Sequence, residues 1–170
     1  MNKNLLCGFN NLWPTQVYKG KFEVEPEVVL SAMNKEVDRK IHSLAEKHFD
    51  NYLIETLGIT LSSYKDFKLL SWINRYENTE MEYHTHNGAH LSAVYYPIVE
   101  GSGGEITFYD PRFFAARGYD INFRSLHRSY ELKPKSGDFV IFPSYLYHSV
   151  KVAAGFKLSI PVDLFLYSES

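Results

Sequence analysis

The hydrophobic pattern divides the chain into a helical front and a strand-built remainder. Between Pro26 and Glu55, apolar residues at Val29, Ala32, Met33, Val37, Ile41, Leu44, Ala45, Phe49, Tyr52 and Leu53 recur at three- and four-residue intervals. That spacing is the stripe of an amphipathic helix. Pro26 suits a first helical turn, and Glu27 behind it complements the positive end of the helix dipole. The pattern predicts a helix over about 26–55, with a break near Asp50-Asn51. His42 and His48 fall on this helix and read as surface or packing residues. Ahead of it, Leu12 to Tyr18 reads as a short opening strand, with Pro14 confined to its start or to an edge.

Beyond the connector Gly58–Asp66 the period changes to that of extended chain. Strand-like runs are Phe67–Tyr76, the histidine-bearing segment from Met81, Leu91–Val99, Glu105–Tyr109, Arg128–Lys133, Asp138–Phe142, His148–Ala153 and Phe156–Leu166. Turn-forming residues at Glu77–Glu80, Glu100–Gly104, Pro134–Gly137 and Gly155 punctuate them. Phe113–Leu126 has no clear period and reads as a long loop, of the kind that serves as a lid or binding loop. One helix followed by about eight short strands predicts a mainly β domain with an N-terminal helix packed on a sheet. Over 1–170 this is a single β-sandwich or jelly roll.

With 170 residues, 45% of them hydrophobic, the chain can bury one proper core. A net charge of −2 without a basic block argues against nucleic acid as partner. Arg112, Arg117, Arg124, Arg128, Lys133 and Lys135 do gather locally, as a solvated edge or a patch for an anionic substrate. The single cysteine, Cys7, has no internal disulfide partner, which fits a reducing compartment. No apolar run approaches ~20 residues, and Met1–Asn11 lacks the apolar core of a signal peptide. The expectation is a cytoplasmic protein without a membrane partner. The 13 Tyr and 12 Phe fit aromatic packing between sheets or a tyrosine-lined groove.

Candidate chemistry concentrates in Met81–Tyr96, where His84, His86 and His90 fall within seven residues. In extended chain His84 and His86 share a face, about 7 Å apart by the rise per residue. Both can converge on one metal, and His148, just after the strand Asp138–Phe142, is the candidate third ligand. Whether His90 takes one of these places is open from spacing alone. A three-ligand site with open positions suits redox chemistry at iron. Nine residues beyond His148, Lys157 and Ser159 share a face of the last strand. An interior lysine needs a matching charge, which a dicarboxylate cosubstrate would supply; a lysine exposed at a turn end is the alternative.

The segments His84-Thr85-His86, Leu91–Tyr96, Gly103–Phe108, Asp110-Pro111-Arg112, Gly137–Ser144 and His148-Ser149-Val150, with the opening Leu12–Tyr18, resemble the small stand-alone 2-oxoglutarate/iron(II) oxygenases related to prolyl hydroxylases. The resemblance covers nearly the whole chain. It implies a double-stranded β-helix holding Fe(II) between two sheets, with His84, His86 and His148 as catalytic metal ligands. It implies Lys157 and Ser159 on the distal carboxylate of 2-oxoglutarate, and Tyr96 and Asn74 reaching the cosubstrate. The reaction implied is hydroxylation of an unidentified small-molecule or peptide substrate, with release of succinate and CO2. The chain departs from the wider superfamily in having His-x-His for His-x-Asp, so three neutral imidazoles would leave the ion its full 2+ charge. Two alternatives stand beside this. One is a cupin-type metal dioxygenase or isomerase without 2-oxoglutarate, and the other is a non-enzymatic ligand-binding β-sandwich.

Overall fold

Pro26 opens the first helix, where its missing N–H would have had no partner. The computed structural model describes residues 15–111 and 129–168, and in it α1 spans Pro26–Met33 and α2 spans Arg39–Leu57. The single helix expected over 26–55 is therefore two, and the break is at Asn34–Asp38 rather than Asp50-Asn51. Lys35 adopts φ 64°, and the Asp38 side chain accepts from the Lys40 N–H at 2.9 Å, so Asp38 starts a new helix as its N-cap. Asp50 stays helical and turns its carboxylate outward, accepting from the Leu61 N–H at 2.7 Å. Gly58, at φ 72°, ends α2 in the left-handed conformation.

The strands follow the sequence pattern with small shifts. They are β1 (Tyr18–Lys21), β2 (Asp66–Ser71), β3 (Asn74–Glu77), β4 (Met81–His84), β5 (Leu91–Val99), β6 (Ser102–Gly103), β7 (Ile106–Tyr109), β8 (Ser129–Leu132), β9 (Asp138–Pro143), β10 (His148–Val150), β11 (Ala153–Ala154) and β12 (Phe156–Tyr167). β1 begins where the expected opening strand ends; residues 12–14 of that expectation lie outside the described residues. One antiparallel sheet runs β1-β9-β5-β12-β2, with β3 also on β12, and a second runs β4-β10-β7-β8. The strand expected over Phe67–Tyr76 is interrupted at Trp72-Ile73. Opposite that gap lies Pro161 of β12, which has no N–H to continue the ladder; only its carbonyl is used, by the Trp72 N–H at 3.3 Å.

β5 is buried on both faces, and its alternation separates two cores. Ala93 and Tyr95 face α2 with Phe139, Ile141, Ile160 and Val162, while Val94 and Tyr96 face the second sheet with Ile106, Phe108, Val140 and Phe142. With a small third sheet of β11 and β6, this mainly β architecture is the expected jelly roll, and the site lies between its two larger sheets. Among the described residues, no helix is long and apolar enough to cross a membrane.

Candidate metal centre

His84 closes β4 and stands directly opposite His148, the first residue of β10. β4 stops there, so His86 is not the next strand residue on the same face; its position is set by its own N–H, which donates to the Ser144 carbonyl at 3.1 Å. The outcome is still convergence. Ring centroids are 4.2 Å apart for His84 and His148, 5.1 Å for His86 and His148, and 5.5 Å for His84 and His86. One ligand nitrogen from each lies within 4.8 Å of the other two.

Which nitrogens face one another follows from the hydrogen bonds. His84 Nδ1 donates to the Glu82 carbonyl at 2.7 Å, His148 Nδ1 to the Leu146 carbonyl at 3.0 Å, and His86 Nδ1 to Asp163 Oδ1 at 2.6 Å. A carbonyl or carboxylate oxygen can only accept, so each Nδ1 carries a proton, and Nε2 is the nitrogen that remains for a metal. Burial holds His148, 3% exposed, down at about 3, with the Leu146 carbonyl opposing and His84 and His86 assisting; it is neutral at physiological pH. Three imidazoles with one nitrogen each this close together fit a divalent ion such as Fe(II) and leave coordination positions open.

The same cavity, about 280 Å³, is lined on its other side by β12 and β3. Lys157 and Ser159 sit opposite Tyr76 and Asn74 in the ladder, so the four share a face. The Lys157 ammonium is 2% exposed, donates to the Gly104 carbonyl at 2.7 Å, and lies 4.5 Å from the Tyr76 ring and 5.7 Å from that of Tyr96. No ion pair forms to it among the described residues, and burial pulls it down to about 8, opposed by Glu105. Gly104, at φ 68°, permits this approach: a Cβ there would stand 2.9 Å from Nζ. Burial raises both Tyr76, whose hydroxyl has Ser159 and Asn74 beside it, and Tyr96, keeping both phenols neutral.

The remaining histidines are elsewhere. His90 is exposed, and its Nδ1 accepts from the Leu166 N–H at 3.1 Å, so it is not part of the cluster. His42 bonds Ser71 at 2.7 Å, and His48 packs among Tyr18, Phe22 and Phe139. The loop Phe113–Leu126 and its arginines lie outside the described residues. Two site residues escaped the sequence reading, Tyr76 and Asp163. Both were accessible through alternation, Tyr76 two residues after Asn74 and Asp163 four after Ser159 on the cavity face of β12.

A family described as "Putative 2OG-Fe(II) oxygenase" matches residues 70–162, more than half of the chain's 170. Among solved structures, the chain is similar to a prolyl-4-hydroxylase from Pseudomonas putida, at 17% identity and TM-score 0.58, covering 90% of this chain and 86% of that one. It is similar to HygX from Streptomyces hygroscopicus with nickel and 2-oxoglutarate bound, at 12% identity and TM-score 0.54, covering 89% and 82%. An oxidoreductase of the 2OG-Fe(II) oxygenase family from Burkholderia pseudomallei is similar at 14% identity and TM-score 0.53, over 74% of this chain but only 55% of that one. At these identities the likeness speaks for the shared jelly-roll fold. No curated protein matches the chain. The family match takes in the histidine cluster, the strand behind it and Lys157, and the chain belongs to the 2OG-Fe(II) oxygenases, a family of oxidoreductases.

Proposed function

We propose that the protein is an Fe(II)- and 2-oxoglutarate-dependent dioxygenase that hydroxylates a C–H bond of a small-molecule or peptide substrate. One oxygen atom of O2 goes into the new alcohol and the other into succinate, and CO2 is released. His84, His86 and His148 would hold the metal through Nε2, and the bound iron supplies the oxidising chemistry. Lys157 and Ser159 would grip the distal carboxylate of 2-oxoglutarate, with Asn74, Tyr76 and Tyr96 shaping the hollow around it.

The observation that carries this reading is a cavity with three imidazole nitrogens converging at one end and, at the other, an ammonium with no ion-pair partner among the described residues. A dianion that chelates a divalent metal and carries a second carboxylate complements both ends at once. In HygX, a protein of the same fold, nickel and 2-oxoglutarate are bound together, which supports the same pairing here.

The test is succinate production from 2-oxoglutarate, measured with Fe(II), without it, and with His84→Ala. Iron-dependent succinate that disappears in the variant is the expected outcome. Metal retained by the three histidines with no response to 2-oxoglutarate would overturn the assignment in favour of cupin-type chemistry. Metal and ligand binding untouched by His84→Ala would leave a non-enzymatic β-sandwich.

A further inference from the structure

Two of the three imidazoles are anchored in one way and the third in another. His84 and His148 each donate from Nδ1 to a carbonyl two residues back, Glu82 and Leu146. His86 reaches instead to Asp163, 77 residues away on β12, a carboxylate that is 5% exposed and that the proposed chemistry leaves without a role. The Asp163 side chain is itself held. Ser92 Oγ donates to Oδ1 at 2.7 Å, and Ser92 and Ser144 hydroxyls are 2.7 Å apart. A hydroxyl has one proton, and that of Ser92 is given to Asp163, so Ser144 is the donor to Ser92. A chain of donors from β9's end through β5 to β12 thus terminates on one carboxylate oxygen.

We propose that Asp163 is the positioning residue of this metal centre. The negative charge that a two-His, one-carboxylate triad places on the ion is here held one imidazole away, behind His86. The proposal rests on the metal-binding reading above and adds to it. A charged acceptor makes a stronger hydrogen bond than a carbonyl does. The Asp163 bond fixes the His86 tautomer and ring plane, and it makes His86 the most electron-rich of the three donors. That offsets part of the charge that three neutral ligands leave on a divalent ion. The position also suits the job: Asp163 shares the cavity face of β12 with Lys157 and Ser159, so one strand carries both the cosubstrate grip and the support for the metal.

The experiment is a metal titration without turnover. Dissociation constants for Co(II) and Fe(II), the visible ligand-field spectrum of the Co(II) form, and metal-free thermal stability are measured for wild type, Asp163→Ala, Asp163→Asn, Ser92→Ala and His84→Ala. Asp163→Ala is expected to weaken metal binding about 10- to 100-fold, the usual effect of losing such a partner, with a shifted Co(II) spectrum. Asp163→Asn keeps an oxygen acceptor without the charge and should fall between wild type and the alanine variant. Ser92→Ala leaves the carboxylate in place and should weaken binding two- to threefold, and it keeps the proposal testable if neither Asp163 variant folds. A purely structural Asp163 predicts lower thermal stability with unchanged metal affinity and spectrum; that result, with metal lost in His84→Ala, overturns the proposal alone. Metal retained in His84→Ala overturns both it and the metal reading.

Discussion

The two ends of the cavity are finished to different degrees. At the histidine end every Nδ1–H has its acceptor, the His84 and His86 rings are stacked, and a buried carboxylate stands behind one of them. At the lysine end an ammonium with three N–H donors has one carbonyl and two aromatic faces. The first arrangement is held by hydrogen bonds within the protein, a rigidity that would suit a resident metal. The second carries a charge without an ion-pair partner among the described residues, and an anion that enters and leaves would relieve it. On the proposed function, the difference would separate an end that keeps its metal from an end that exchanges its cosubstrate.

The largest effect should come from breaking the rigid end. His148→Ala removes one of the three proposed ligands, the most buried of them, and metal content after purification without chelator should fall from near one per chain to background. Metal analysis checks this directly. Retention of a full equivalent would mean that the imidazoles are not the metal's ligands.

Breaking the other end should separate binding from stability. Lys157→Met is expected to leave metal affinity within about threefold while weakening 2-oxoglutarate by roughly 10- to 100-fold, the worth of bonds to a charged group. Calorimetric titration on the Mn(II) form reads the difference. The metal-free variant should be more stable than wild type, because a buried charge with no ion-pair partner among the described residues has gone. The pH dependence has a definite sign. Lys157 is depressed from 10.5 to about 8, so between those values the unfolded chain holds a proton that the folded chain has lost. Wild-type stability therefore rises as pH climbs from about 8 to 10.5, and the penalty is fully present below 8. The methionine variant lacks that rise. In the same wild-type protein, 2-oxoglutarate affinity should decline above pH 8 as the ammonium deprotonates.

Much of this comparison was legible from spacing. Leu91–Val99 is a strand within the bounds its apolar run implies, and His84, His86 and His148 converge as their placement on either side of a turn-bounded strand suggested. What was missed depends on the third dimension. Asp38 initiates a helix only because Lys35 turns the chain with a positive φ, a strain that composition does not announce. The gap at Trp72-Ile73 is caused by Pro161, almost ninety residues away, which the ladder happens to place opposite. Asp163 lay in an apolar strand and two steps past Ser159 in the same alternation; carrying the period through would have put it in the cavity. Its partner His86 could not have been read, since the contact spans 77 residues and depends on where the Ser144 carbonyl holds His86.

The smallest effect sharpens the comparison most cheaply, because two glycines share a backbone conformation and differ in what surrounds them. Gly58 at φ 72° has nothing within 4 Å of where a Cβ would be, while at Gly104, φ 68°, the Cβ would meet Lys157 Nζ at 2.9 Å and its Cδ and Cε at 3.2 Å. Alanine at either should cost about 1 kcal/mol for the left-handed backbone, visible as a few degrees in thermal unfolding. Only Gly104→Ala should also weaken 2-oxoglutarate, by severalfold, since the lysine tip is flexible enough to shift but not without losing the Gly104 carbonyl. Metal affinity should be unchanged in both. Equal losses of 2-oxoglutarate binding in the two variants would show that the lysine end tolerates displacement, and the contrast between a rigid end and an exchanging end would then rest on charge alone, with no contribution from the placement of the ammonium.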